Sequence, residues 1–360
     1  VPKLYIYIMN SNKSYVIGMM SGTSLDGVDL VYVSFSKNGE YSFEIICSKT
    51  FSYSDEWKLK LKNAFNQSKI LIEKLNVEYG IYIGTLINSF ISNYNIGKVD
   101  FIASHGHTIF HKPEQGYTLQ IGDGDSISKL TGYKVVCDFR TQDVELGGQG
   151  APLVPIGDKL LFSEYEYCLN LGGFANISFD KNERRIAFDI CPVNIVLNHY
   201  ANKLGLEYDN KGKIASQGNI NTLMLEELNS LSFYTNQIPK SLGFEFVVSK
   251  IFPIIEKYNC SEQDILRTFI EHIAIQISLQ IKNEGSLLIT GGGAFNNFLI
   301  ERLQKYIKNL IIIPNKTIIN FKESLIFAFL GLLRLENKVN CLQSVTGAKK
   351  DHSSGIICNG

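Results

Sequence analysis

The chain has 360 residues, 45% of them apolar, and its 35 Lys and Arg balance its 35 Asp and Glu to a formal net charge of zero. That length favours two domains of roughly 150 residues each. The lack of a basic excess, or of any long run of one sign, argues against nucleic acid or an anionic membrane as partner, and no stretch reaches the ~18 apolar residues of a membrane span. Seven cysteines are scattered without a Cys-x-x-Cys pair, so neither a zinc ribbon nor a redox motif is indicated. An odd count without a secretory signal fits a reducing cytoplasm. Residues 1–8 (VPKLYIYI) precede Met9, the expected natural start.

In chain order, an apolar run at 16–20 stops at Ser21-Gly22-Thr23-Ser24. Leu25-Asp26-Gly27 then carries the chain into a second apolar run at 28–35. Two β-rich runs joined by a small polar loop predict a hairpin. Residues 41–51 alternate as a third strand. Ser54 is a plausible N-cap for a helix through Trp57, Leu61 and Phe65, and a longer helix is expected over 70–94. A strand at 99–104 is expected to end in Ser104-His105-Gly106-His107-Thr108. A strand at 117–121 and a short helix to about 130 follow, then a strand at 134–137 that ends in Asp138-Phe139-Arg140. The glycine-rich stretch 141–150 marks the expected domain boundary, giving domains 1–150 and 151–360.

The second half repeats the opening of the first. Strands at 166–171, 174–179 and 185–189 are separated by Gly172-Gly173 and a turn. Helices are expected over 195–204, 219–228, 244–258 and 261–282. A strand at 286–290 breaks at Gly291-Gly292-Gly293 before a helix over 296–308. A strand at 310–313 and a last helix over 321–335 follow, and the tail from Gly347 is expected to be irregular. Alternating strands and helices mean an α/β fold, and two copies of one unit suggest a pseudo-symmetric pair with a ligand between them.

The 21–29 loop has features suited to phosphate. Gly22 and Gly27 let backbone N–H groups approach a ligand, Thr23 and Ser24 add hydroxyls, and Asp26 and Asp29 could hold a metal ion through water. An ordinary hairpin turn uses the same residue types, and the loop is not a Walker A, because no Gly-Lys-Ser/Thr follows. His105 and His107 should share one strand face by alternation, but no acidic or Cys ligand nearby completes a zinc set.

The motifs together resemble the anhydro-N-acetylmuramic acid kinases. The resemblance lies in the run from Ser21 through Gly22, Thr23, Ser24, Leu25, Asp26, Gly27 and Val28 to Asp29. It continues in Ser104-His105-Gly106-His107-Thr108, Asp138-Phe139-Arg140 and Gly148-Gln149-Gly150-Ala151-Pro152-Leu153. It resumes in Asn170-Leu171-Gly172-Gly173-Phe174-Ala175-Asn176-Ile177, in Gly291-Gly292-Gly293-Ala294-x-Asn296, and in Glu323. It implies an actin-like ATPase fold, with two RNase-H-like domains flanking a nucleotide and sugar cleft. The implied reaction uses ATP and Mg²⁺. Water opens 1,6-anhydro-N-acetylmuramic acid at C1, and O6 takes the γ-phosphoryl group.

The resemblance also implies roles. Asp189 would be the catalytic base. The loop from Gly22 to Asp29, with Gly172, Gly173, Gly291, Gly292, Gly293 and Asn296, would bind nucleotide, and Asp26 would meet the metal through water. Arg140, Thr108 and Glu323 would bind sugar, Arg140 by pairing with the lactyl carboxylate. Each has a plain alternative: tight turns for the glycines, a salt bridge to Asp138 or Asp143 for Arg140, and a first helical turn for Glu323. After Asp189 the family's usual Thr-Gly-Pro-Gly-Asn reads Ile190-Cys191-Pro192-Val193-Asn194 here, which opens the possibility of a different sugar. An actin-like or chaperone-like ATP-driven binding protein is the reading from another class. The resemblance points to a cytoplasmic enzyme and leads one to expect a homodimer.

Overall fold

A computed structural model describes residues 13–22 and 25–360. The expected start at Met9 and the loop residues Thr23 and Ser24 lie outside the described residues. The predicted hairpin forms: β1 (Ser14–Ser21) pairs antiparallel with β2 (Gly27–Asn38), and β2 pairs with β3 (Glu40–Ser52). Ser54 caps α1 (Asp55–Asn63) by accepting the Trp57 N–H at 3.3 Å. Helix α2 (Lys69–Asn93) buries Ile72, Leu75, Tyr79, Ile83, Ile87 and Phe90, the three-and-four spacing of one helix face. That face joins Ile17, Met19, Val28 and Leu30 in the core of the first sheet.

The first unit continues with β4 (Phe101–Lys112), β5 (Tyr117–Ile121), α3 (Gly124–Thr131), β6 (Val135–Cys137), α4 (Thr141–Glu145) and α5 (Val154–Leu161). The second holds β7 (Tyr167–Leu171), β8 (Phe174–Lys181) and β9 (Arg184–Pro192). Helices α6 (Asn194–Lys203), α7 (Thr222–Asn229), α8 (Phe244–Phe246), α9 (Phe252–Glu256) and α10 (Glu262–Ser278) follow. Strand β10 (Ser286–Thr290), α11 (Asn297–Gln304), β11 (Leu310–Ile312) and α12 (Lys316–Leu335) come next. A short α13 (Gln343–Thr346) and β12 (Ile356–Cys358) close the chain.

The duplication read from the sequence is present in the strand order. One sheet runs β12-β6-β4-β1-β2-β3, with β5 added on β4; the other runs β11-β10-β7-β8-β9. In each, an antiparallel three-strand meander is extended by two parallel strands on the side of its first strand. This is the arrangement expected of RNase-H-like domains. Parallel neighbours need a crossover, which the intervening helices supply.

Several expectations are corrected. β4 does not end at Ser104; it runs through the Ser-His-Gly-His-Thr segment to Lys112, because that segment pairs with β5. His105 and His107 do not share a face. Gly106 sits at φ +73°, where the alternation breaks, so His107 meets Tyr79 and His105 meets Phe327. Part of the predicted glycine-rich linker is α4. The 244–258 helix is interrupted at Val247–Ile251, which adopts the wider π pattern. The last helix begins at Lys316, after Asn315 accepts the Ile318 N–H at 3.0 Å. The tail is not irregular throughout, since β12 pairs antiparallel with β6. The units divide as 1–161 with 321–360, and 162–320, rather than at 150/151. The reason is that β12 and most of α12 pack with the first sheet, which no local pattern signals. Among the described residues, no helix is long and apolar enough to cross a membrane.

Helix α12 lies directly on β1 because Gly18 has no side chain. A Cβ there would stand 2.2 Å from the Ser324 carbonyl oxygen and 2.8 Å from the Ala328 Cβ. Gly18→Val is expected to destabilise the first unit by about 1–3 kcal/mol, the range for overpacking a core. An unchanged denaturant midpoint would overturn this packing account.

Two buried histidines make stability depend on pH. His107 Nδ1 shares a 2.9 Å hydrogen bond with Ser21 Oγ, which bonds the Tyr53 hydroxyl at 2.6 Å. His272 Nδ1 donates to Asn229 Oδ1 at 2.7 Å, and its Nε2 shares a 2.9 Å hydrogen bond with the Tyr234 hydroxyl. Burial pushes His107 down to about 4 and His272 down to about 3. The unfolded chain takes these protons near pH 6.5 and the folded chain only below those values. Stability should therefore fall as pH drops below about 6.5, by about 1.4 kcal/mol per pH unit per group. His272→Gln should remove one such contribution from the slope of thermal stability against pH between about 6.5 and 4; an unaltered slope would reject it.

Candidate active site

In the first unit the predicted residues gather around Arg140. Asp138 takes a left-handed conformation, φ +52°, and its Oδ1 accepts the Thr141 N–H at 3.3 Å. This turn seats Phe139 against Phe327 and presents Arg140. Arg140 Nε donates to His105 Nε2 at 3.0 Å, and Nη1 donates to the Gly150 carbonyl at 2.6 Å. His105 in turn places Nδ1 3.0 Å from the Gly106 carbonyl, so Nδ1 carries the hydrogen and Nε2 accepts. Burial first, and the neighbouring guanidinium second, hold His105 neutral, far below its ordinary value. Among the described residues Arg140 forms no ion pair within 4.0 Å. Asp143, one proposed partner, accepts from Gly150 N–H and Thr346 Oγ1 instead, each at 2.7 Å. Both gripping partners of Arg140 are neutral, and the acids that bear on its charge, Glu323 and Asp143, act from beyond ion-pair distance.

Glu323 stands in the third turn of α12, not the first, so the helix dipole does not account for it. Its side chain reaches solvent although protein crowds around it. That crowding pushes its carboxyl above the usual range; Arg140 pulls it down, and Asp29 raises it further. The Asp29 carboxyl is also raised, by burial first and by Asp26 as well, against the lowering hydrogen bond from Thr50 Oγ1 at 2.5 Å. Ser324 Oγ donates to the Asp29 carbonyl at 3.3 Å, which ties α12 to the start of β2. Asp26, Asp29, Arg140 and Glu323 therefore share one electrostatic neighbourhood. Two acids near each other fit a site for a divalent cation.

Leu25 adopts φ +60°, and its N–H donates to the Gly22 carbonyl at 3.3 Å. Gly27 is required by packing, because a Cβ would lie 2.3 Å from the Phe51 carbonyl oxygen. Val28 is core. Thr108 is half-buried and accepts from Gln120 Nε2 at 3.4 Å.

In the second unit Asp189 lies three residues before the end of β9. A bulge shifts the register there, so that Asn176 pairs with Asp189 and Ala175 with Cys191. Asp189 Oδ2 accepts the Leu242 N–H at 2.8 Å, and the Asp189 N–H donates to the Lys240 carbonyl at 3.0 Å. Burial raises the Asp189 carboxyl, and the Leu242 N–H lowers it in part. Nothing in the sequence near Asp189 marks Leu242, 53 residues away. His105 was visible as a residue type, but its service to Arg140 was not.

Gly172 and Gly173 cap α6. Their carbonyls accept N–H groups of Asn194, Val193 and Ile195 at 2.8–3.3 Å. Those donors are therefore engaged by the turn. A Cβ on Gly173 would touch the Ile195 Cβ at 3.9 Å, an ordinary contact, so packing does not require a glycine there. Gly291 (φ +80°) and Gly293 are packing glycines, since Cβ atoms there would press to 2.6–2.8 Å against Asn170 and Leu171. Gly292 is exposed, with room beside it. Asn296 caps α11, its Oδ1 accepting the Leu299 N–H at 3.0 Å. Ile190, Cys191 and Val193, where the sequence departs from the usual motif, are wholly buried in the core of the second unit.

The family model described as anhydro-N-acetylmuramic acid kinase matches residues 14–360. The protein of that name from Haemophilus influenzae is 32% identical, over 97% of this chain and 99% of its own. Its counterpart from Hydrogenovibrio crunogenus is 34% identical over the same shares, and that from Crocosphaera subtropica is 32% identical over 95% of this chain and 98% of its own. The chain belongs to the anhydro-N-acetylmuramic acid kinase family.

Proposed function

We propose that this protein uses ATP and water to convert 1,6-anhydro-N-acetylmuramic acid to N-acetylmuramic acid 6-phosphate and ADP, in the recycling of cell wall. Family membership over nearly the whole chain carries this reading. Water attacks C1 and gives a proton to Asp189, the C1–O6 bond breaks, and O6 displaces ADP from the γ-phosphorus. Asp189 suits the base: one oxygen is oriented by the Leu242 N–H, and burial raises its proton affinity toward the working range. Its negative charge also opposes the oxocarbenium character of ring opening.

Arg140 would bind the lactyl carboxylate, with Glu323 and Thr108 toward the sugar's hydroxyl and amide groups. The backbone from Gly22 to Asp29, with Gly172, Gly173 and Gly292, would take the nucleotide. Mg²⁺, held through water by Asp26 and Asp29, would supply charge neutralisation at the transferring phosphoryl group. The buried Ile190, Cys191 and Val193 side chains favour the family's own sugar over a different one, because none of them is exposed to a ligand. The seven free thiols suit a reducing cytoplasm.

Incubation with ATP, Mg²⁺ and the anhydro sugar should release ADP only when sugar is present. ADP release that ignores the sugar would instead mark an ATP-driven binding protein. Asp189→Asn should lower turnover by about 10²–10⁴-fold while leaving nucleotide affinity unchanged; an active variant would reject the base. Arg140→Met should reduce kcat/KM for the muramyl sugar by about 10–100-fold, the worth of charged hydrogen bonds of roughly 1.5–3 kcal/mol. It should have little effect on an anhydro sugar without the lactyl group. Equal losses on both sugars would remove Arg140 from carboxylate recognition.

A further inference from the structure

Three side chains outside the proposed machinery meet in the first unit. Asp143 of α4, Cys341 and His352 are 0%, 2% and 6% exposed, and their ligand-capable atoms all lie within 4.8 Å of one another. Cys341 and His352 face each other across an isolated antiparallel bridge, with reciprocal N–H to carbonyl bonds of 3.1 Å. The backbone therefore holds thiol and imidazole side by side.

The hydrogen bonds fix which atoms remain available. His352 Nδ1 lies 3.1 Å from the Lys350 carbonyl, which can only accept, so Nδ1 carries the hydrogen. In a neutral ring Nε2 is then a lone pair. It is buried, makes no hydrogen bond, and stands 3.5 Å from Asp143 Oδ1, another acceptor. Two buried acceptors facing each other need a cation between them. Bonds of about 2.0–2.1 Å to one tetrahedral zinc ion would hold such a nitrogen and oxygen about 3.3–3.4 Å apart. The surroundings already match an outer shell: the Lys350 carbonyl orients the imidazole, while Thr346 Oγ1 and the Gly150 N–H orient the carboxylate.

We propose that Asp143, Cys341 and His352 form a buried zinc site. A soft sulfur, an imidazole and a carboxylate together suit zinc rather than magnesium or calcium. On binding, the Cys341 thiol proton leaves to solvent, and thiolate, carboxylate and Zn²⁺ sum to zero charge. A water completes the tetrahedral set. Such an ion would clamp the segment just after Arg140 to the 341–352 hairpin, and it takes no part in the proposed reaction.

The test uses the full chain, stripped with a chelator, loaded with one equivalent of zinc and desalted. About one zinc per chain should remain by elemental mass spectrometry. Cys341→Ser and His352→Gln should each reduce retention at least ~10-fold, while Cys137→Ser should not. Cobalt loading of the unaltered chain should give thiolate-to-cobalt charge-transfer absorption and tetrahedral d–d bands. This readout needs neither a variant that folds nor turnover. The proposal is overturned if the unaltered chain retains no zinc, or if its cobalt form lacks the thiolate band. It is also overturned if zinc loss follows Cys137→Ser instead, or if folded Cys341→Ser and His352→Gln proteins retain zinc fully. A proton shared by His352 and Asp143 would then be the cation.

Discussion

The arrangement in the first unit depends on how one guanidinium is held. A buried positive charge is tolerated only when its donors are satisfied, and an acidic partner would neutralise it in advance. Here the grip comes from a neutral imidazole and a backbone carbonyl. The imidazole stays neutral because burial and the guanidinium itself both resist its protonation. The result is a fixed arginine with no carboxylate paired to it among the described residues, which is what the proposed recognition of a sugar carboxylate requires. This explains why His105, which touches no substrate in the proposed reaction, accompanies Arg140.

The same logic of fixing a group and leaving one side open recurs at Asp189. A bulge in β9 sets its register against β8, and a distant N–H orients one carboxylate oxygen. Burial raises its proton affinity while the hydrogen bond keeps the rise in check. A base works best when it is both oriented and basic, so these features suit the proposed role of Asp189. The three residues that break the family's glycine pattern beside it turn into the core. They stiffen the segment from within rather than reshape an exposed surface.

The glycines divide into two kinds that look alike in the sequence. Gly18, Gly27, Gly291 and Gly293 are small because a neighbouring backbone or side chain occupies the place of a Cβ. Gly173 and Gly292 would each admit a Cβ at ordinary contact distance, so packing does not require glycine there. The second kind is the better guide to where a ligand approaches bare backbone.

The sequence alone determined the α/β class, the duplicated hairpin-and-strand unit, the Ser54 cap and the positions of the loops that end strands. These follow from local periodicity and turn chemistry, which act over a few residues. The ordered motifs also marked the family. Tertiary structure alone decided the rest. β4 runs on past Ser104 because β5 pairs with it, and the C-terminal strand returns to β6 across more than two hundred residues. Glu323 turned out to lie well inside its helix, and Asn296 to be a cap. The partners of Arg140 and Asp189, His105 and Leu242, lie 35 and 53 residues away. Hydrogen bonds and close packing between distant segments leave no periodic trace in the chain, so only the folded molecule displays them.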